Sequence, residues 1–455
     1  MRRWLWWLVP VLALSAMVYA SRSSSPQLLK DTDTVALIHR LREVKDPTAW
    51  FRGDWPLQNH FYRPVSTLAF EWDNARSGDD PAGYGATNAL LAALCVLLSF
   101  WVFRELTDTP WFAFLATLLF ALWHSGETLT QPLAVAIAWL GPLCLIGLFR
   151  GGPKMAGKCL AAWLACYFLS ESLRPVSEFA GRIVDWLPGR TASVMCVFAF
   201  AAVAAYARYV RLSGKRIERK ATAEDLPATK STQVVTAKYP WVWVVVALLC
   251  TVLALGSYEQ AVMLPGLFVG VQLLFLLRGT KSSWMPHIAF WALLFAYLAL
   301  RRALVPSDVS GYQAQQFRTG AGVWIVLGQY SFPAVFWAYT AFQSFVGGVL
   351  ILLTGPFWAP ISGAAGNFVA YVQAWRDDRA KWWFVGFLAM SFVAFLPMAW
   401  LKPFGHYHYL PSLFRAGYVV ALAMVVARLV ATAVSLPDLR APARQSPAPG
   451  SLLRQ

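Results

Sequence analysis

Two aspartates one residue apart, Asp31 and Asp33, open a long polar stretch (residues 21–86) between the first two apolar segments. The same stretch closes on His60-Phe61-Tyr62-Arg63-Pro64. Carboxylates at the edge of a bilayer are costly to place and are seldom kept for packing alone, so this loop points to an enzyme working at a membrane surface. Further acids fall in loops or at the ends of apolar segments on the same side: Glu127, Glu171, Glu178, Asp185 and Glu259. Opposite them stand Arg301, Arg302 and Arg318, with Asp308 the acid nearest in sequence. A planar guanidinium grips a phosphate through two parallel hydrogen bonds, which makes these arginines candidates for holding an anionic lipid phosphate. The alternative is that they reach from a helix end to the headgroups. Together the acids and arginines outline a polar crevice at the interface.

What must position such a crevice is an all-α polytopic membrane bundle. Of the 455 residues, 58% are hydrophobic and only 14% are charged, and the mean hydropathy is +0.49. That composition excludes an ordinary soluble domain. Apolar runs long enough to cross a bilayer fall at about twelve places: 4–20, 84–103, 111–123, 132–149, 158–170, 191–209, 240–257, 261–277, 284–300, 363–376, 383–400 and 411–432. Residues 322–353 form either a helical hairpin, giving up to fourteen spans, or one long interfacial helix. A β-barrel would show short alternating segments instead.

The net charge of +16 is concentrated beside the spans, where it reports topology and not nucleic acid. With Arg2 and Arg3 inside, the 21–86 loop lies outside. Arg150, Lys154 and Lys158, the basic Arg208–Lys220 segment that leads into a 210–239 cytoplasmic loop, Arg278 and Lys281, and Arg376, Arg379 and Lys381 then all fall inside. Residues 1–435 read as one transmembrane domain, and 436–455 as a disordered cytoplasmic tail rich in Pro, Ala and Ser. Residues 4–20 read as an uncleaved signal anchor. The expected location is a bacterial-type cytoplasmic (inner) membrane, with both termini cytoplasmic and the active site facing outward.

All six cysteines lie in apolar stretches without metal-ligand spacing and read as packing thiols. His406 and His408, alternating with Tyr407 and Tyr409, read as an interfacial aromatic belt, with metal ligation the alternative. His124 is a further candidate for hydrogen bonding a phosphate.

Tyr62-Arg63-Pro64-Val65-Ser66-Thr67-Leu68, followed by Gly83-Tyr84-Gly85-Ala86-Thr87-Asn88-Ala89-Leu90-Leu91, resembles the paired YRP and GYHxxNxLLH motifs of the transmembrane and tetratricopeptide-repeat O-mannosyltransferases and their bacterial relatives. These belong to the GT-C glycosyltransferases, as do the protein O-mannosyltransferases. Three later segments are similar in the same order: Trp186-Leu187-Pro188-Gly189-Arg190, Ser257-Tyr258-Glu259-Gln260-Ala261-Val262-Met263-Leu264-Pro265, and His408-Tyr409-Leu410-Pro411-Ser412. The chain departs from the pattern in its split acidic pair. It also has two partial matches to one acidic motif, His124-Ser125-Gly126-Glu127 and Arg174-Pro175-Val176-Ser177-Glu178, so either Glu127 or Glu178 takes the second acidic role. No tetratricopeptide repeats follow the last span, and neither sugar nor acceptor carries over.

The resemblance implies a GT-C-like fold and an inverting transfer of a sugar from a polyprenyl-phosphate carrier to a protein, glycan or lipid acceptor. A carboxylate must then take the proton of the attacking hydroxyl, and positive charge must receive the departing phosphate. Asp33, then Asp31, are the expected bases, although both also suit the start of a helix over 34–38. Arg301, Arg302 and Arg63 are the expected phosphate ligands. Glu259 is expected to contact the donor or Arg301, and Arg190, His124 and His408 complete the candidate set. No nucleotide-binding fingerprint is present. A flippase for lipid-linked saccharide and a GT-C scaffold without chemistry are the competing readings.

Overall fold

The computed structural model describes residues 2–44, 46–125, 129–149, 153–176, 179–216, 239–331, 338–354, 380–402 and 404–434. Glu127, Glu178, the predicted span 363–376, most of the 210–239 loop and the 436–455 tail lie outside the described residues. The α-helices are α1 (Leu8–Ala20), α2 (Thr32–Glu43), α3 (Pro64–Ser77), α4 (Pro81–Thr107), α5 (Pro110–Trp123), α6 (Thr130–Leu140) and α7 (Pro153–Leu173). They continue as α8 (Phe179–Ile183), α9 (Arg190–Ser213), α10 (Trp241–Leu255), α11 (Leu264–Leu277), α12 (Pro286–Leu304), α13 (Gly311–Gln316), α14 (Ala321–Ser331), α15 (Ala338–Thr354), α16 (Ala380–Phe395) and α17 (Tyr409–Val434). The ambiguous 322–353 stretch is thus described as two helices, α14 and α15.

Seven helical segments among the described residues are long and apolar enough to cross a membrane: Pro81–Thr107, Thr130–Phe149, Leu187–Ser213, Glu259–Leu277, Pro286–Leu304, Ala380–Met398 and Gly405–Val430. Three shorter apolar helices match other expected spans, at Leu5–Ala20, Pro110–Trp123 and Trp241–Leu255, and a fourth, Ala341–Thr354, falls at the ambiguous 322–353 stretch. Most of the helices begin with proline in their first turn, where its missing N–H costs nothing.

The chain divides into two compact units. The larger comprises Met1–Ala134, Glu171–Val335 and Asp378–Leu422. Its centre is α9, where Ala199, Ala202, Ala204, Ala205 and Ala207 are all wholly buried. Such small side chains let α4 and α10 approach α9 closely, the usual basis of helix association in lipid. α1 packs along α4 with Val11, Ser15 and Val18 buried on one face, and the Ser15 hydroxyl donates to the Ala93 carbonyl at 3.0 Å. Tyr206 of α9 donates to Gln272 Oε1 at 2.7 Å and lies 2.9 Å from His287 Nε2, tying α9 to α11 and α12. The smaller unit comprises Val135–Ser170, Phe336–Asp377 and Ala423–Gln455. There Trp163 Nε1 donates to the Ser344 hydroxyl at 2.7 Å, holding α7 to α15.

The predicted outer loop is itself folded. α2 presents Leu37, Ile38 and Leu41 to a core that includes Trp50, Trp55, Phe70, Tyr84 and Leu187. This i, i+1, i+4 stripe is the apolar face of an amphipathic helix, and the opposite face carries His39, Arg40 and Glu43.

Candidate functional site

The site is built at the end of the larger unit where α2 meets the turns before α9 and α17. α2 starts at Asp31, whose carboxylate accepts from the Thr34 backbone N–H at 3.4 Å and so caps the helix. The same oxygen accepts from Trp186 Nε1 at 3.0 Å. Asp33 sits in the first turn, where the positive end of the helix favours an acid. Its side chain is open to solvent, yet nearby protein pushes its carboxyl above the usual range; the Asp31 charge adds to this and Arg182 opposes it.

Arg182 ends α8. Its guanidinium lies 4.9 Å from the Trp186 ring and 5.6 Å from that of Phe404. Gly189 makes this turn possible, because a Cβ there would lie 1.9 Å from the Arg182 carbonyl oxygen. The His406 ring packs on Trp186 at 5.1 Å and on Tyr258 at 6.3 Å. A wall of aromatic and charged groups therefore runs from Asp31 through Trp186 and His406 to Tyr258 and Glu259. Tyr312, whose hydroxyl burial pushes upward in pKa, is near enough to feel Arg63, Asp33 and Arg182.

The far end of that wall is a closed ion pair. Arg63 Nε donates to both Glu259 oxygens at 3.1 and 2.9 Å, and Nη2 donates to Oε2 at 2.6 Å. The guanidinium is roofed by Phe61, Trp55 and Tyr258, with ring centroids at 4.1, 4.5 and 4.6 Å. Cation–π contacts of this kind strengthen as water is excluded. Burial works against the Arg63 charge, and Glu259, Tyr258 and Tyr407 together more than restore it. Glu259 therefore pairs with Arg63 and not with Arg301. The guanidinium expected to grip a phosphate is enclosed within the protein, where it fixes the loop to the turn between α10 and α11.

Asp54 shapes the loop that delivers Arg63. Its carboxylate accepts from the N–H groups of Trp55, His60 and Phe61 at 2.8, 2.7 and 2.8 Å. Gln58 and His60 turn with φ of 51° and 66° to allow it. Arg301 Nη2 donates to the His60 carbonyl at 3.0 Å, and the Ser310 hydroxyl donates to that of Asn59 at 3.2 Å. Arg301 thus anchors the loop while Arg302 is exposed.

The remaining expected residues lie apart from this wall. Arg190 is wholly buried, paired with the equally buried Asp73 at 2.8 Å and donating to Asn88 Oδ1 at 2.7 Å and the Tyr84 carbonyl at 3.0 Å. His124 places Nδ1 2.9 Å from the Phe120 carbonyl and Nε2 3.0 Å from the Tyr409 hydroxyl. The His408 ring stacks on Phe395 and meets Tyr330 at a tilt, both with centroids at 4.6 Å. His406 and His408, expected in an interfacial aromatic belt, are buried. Among the described residues, no three His, Cys, Asp or Glu side chains come together as a metal site.

Arg182 and Tyr312 were not singled out by sequence. Arg182 carried a signal, since it is a cation on the predicted outer side just as Arg301 is. The fold and this wall define an α-helical chain, associated with a membrane by its apolar helices, with charged and aromatic groups gathered at one end of its larger unit. The chain matches no protein-family model, no curated protein and no solved structure.

Proposed function

We propose that the protein is a membrane glycosyltransferase of the GT-C kind, moving a sugar from a polyprenyl phosphate to an acceptor hydroxyl at the outward end of the bundle. The observation that carries this reading is the grouping of a solvent-facing carboxylate, Asp33, with the cation Arg182 and the hydroxyl of Tyr312 beside the aromatic wall. Asp33 accepts the acceptor's proton as its oxygen attacks the anomeric carbon, and the bond from that carbon to the phosphate oxygen breaks with inversion. The charge left on the polyprenyl phosphate is received by Arg182, with Arg301 and Arg302 as further cations. Arg63 and Glu259 hold the wall and take no part in the transfer.

A scaffold subunit without chemistry is favoured by one feature, the use of Asp31 as a helix cap and tryptophan acceptor. Native mass spectrometry of the purified chain separates the two. The expected result is a retained polyprenyl-phosphate sugar in the wild type and in Asp33→Asn, lost in Arg182→Ala, with transfer to acceptor abolished in Asp33→Asn. Ordinary phospholipids alone in all three proteins would reject the enzyme.

A further inference from the structure

At the opposite end of the larger unit, a cleft of about 870 Å³ opens between α1, α4 and α9. Its walls are apolar, with Leu8, Val11 and Leu12 from α1 facing Leu97, Phe100 and Trp101 from α4. Its floor is not. Arg104, Arg208 and Arg211 line it together with Glu105. Arg208 donates to Glu105 at 3.0 Å, Arg211 meets the other Glu105 oxygen at 2.7 Å, and Asp108 pairs with Arg211 and Arg104. Three cations face two carboxylates, so positive charge is left over. The arginine side chains keep 20%, 35% and 27% of their surface open, in the order Arg104, Arg208, Arg211, so an anion can reach them. The buried Nε donors of Arg104 and Arg208 have no acceptor.

An amphipathic space with an apolar wall and an unsaturated cationic floor selects an amphipathic anion. Leu12 is more than half exposed on the outer rim, so the apolar part of the cleft is continuous with the surface that faces lipid. The floor lies where the chain carries Arg208, Arg211 and Arg278, the end that the charge bias assigns to the cytoplasm. We propose that this cleft binds an anionic glycerophospholipid of that leaflet, with its phosphodiester against Arg104 and Arg208 and one acyl chain along Leu8, Leu12 and Leu97. The site is separate from the sugar-transfer wall and stands whether or not that reading does.

The test uses the full chain, purified and delipidated in detergent, titrated with phosphatidylglycerol, phosphatidylcholine and the water-soluble glycerophosphoglycerol. Binding is read by native mass spectrometry. Phosphatidylglycerol is expected to bind preferentially, and each of Arg104→Gln and Arg208→Gln to weaken it about fivefold, the effect of one cation near a charged leaflet. Arg208→Gln leaves Glu105 paired with Arg211, so this variant keeps the fold if Arg104→Gln does not. Leu12→Trp fills the apolar rim without touching an ion pair and is expected to weaken the lipid as well. Equal binding of phosphatidylcholine would overturn the proposal. So would glycerophosphoglycerol binding as tightly as the lipid, or affinity unchanged in Arg208→Gln and Leu12→Trp.

Discussion

At the scale of single residues, the proposed base Asp33 has two charged neighbours, Asp31 and Arg182. A general base works only when ionised, so transfer should fall as pH drops through the Asp33 pKa, which lies above the ordinary carboxylate value because nearby protein partly desolvates it and Asp31 adds a like charge. The neighbours make the sign testable. Asp31→Asn removes a like charge, lowers the Asp33 pKa and moves the acid limb of kcat/KM to lower pH. Asparagine caps a helix as well as aspartate does, so α2 survives the change. Arg182→Gln removes an opposing cation, raises the Asp33 pKa and moves the limb to higher pH. A profile that stays put in both variants places the base elsewhere.

At the scale of elements, the Arg190–Asp73 pair ties three helices of the larger unit together. It joins the start of α9 to α3, and through Asn88 and Tyr84 to α4, beneath the loop that carries α2. Both side chains are wholly buried, and removing one partner strands a charge, which costs about 3–5 kcal/mol. Asp73→Asn should lower the thermal midpoint in detergent strongly. Replacing both residues, as Arg190→Met with Asp73→Leu, should recover part of the loss; a double variant as weak as the single one would mean the pair itself supplies the stability. Sequence made some of this legible and hid the rest. The α2 start was written locally, in Asp31-Thr32-Asp33-Thr34 before an apolar stripe, because capping depends on residues three apart. Seven of the expected spans were legible for the same reason, since each is a continuous apolar run. Arg190 could be marked as a candidate, but its partner Asp73 lies on another helix, and nothing short of the fold brings the two together. Arg63 shows the same limit: the resemblance implied a phosphate ligand, and only the packing of the α10–α11 turn reveals Glu259 opposite it.

At the scale of the larger unit, its charges separate into two ends. Asp31, Asp33, Arg63, Asp73 and Glu259 gather where α2 and α3 lie. Glu105, Asp108, Arg208, Arg211 and Arg278 gather where α4, α9 and α11 finish, and there Lys215–Arg216 pairs with Thr280–Lys281 as a short antiparallel ladder. Loops assigned to one side by their arginine and lysine content thus come together in space, although they are distant in sequence. That coincidence is expected if charge bias sets orientation, and it predicts opposite accessibility for the two ends. Cysteine placed at Asp79, whose side chain is 88% exposed, should react with a membrane-impermeant maleimide in intact cells. Cysteine placed at the exposed Lys281 should react only after permeabilisation. The six native thiols are buried or half-buried, which keeps the background low. Labelling of Lys281→Cys, but not Asp79→Cys, in intact cells would invert the chain, turn the Asp33 wall toward the cytoplasm and remove the case for a donor presented on the outer face.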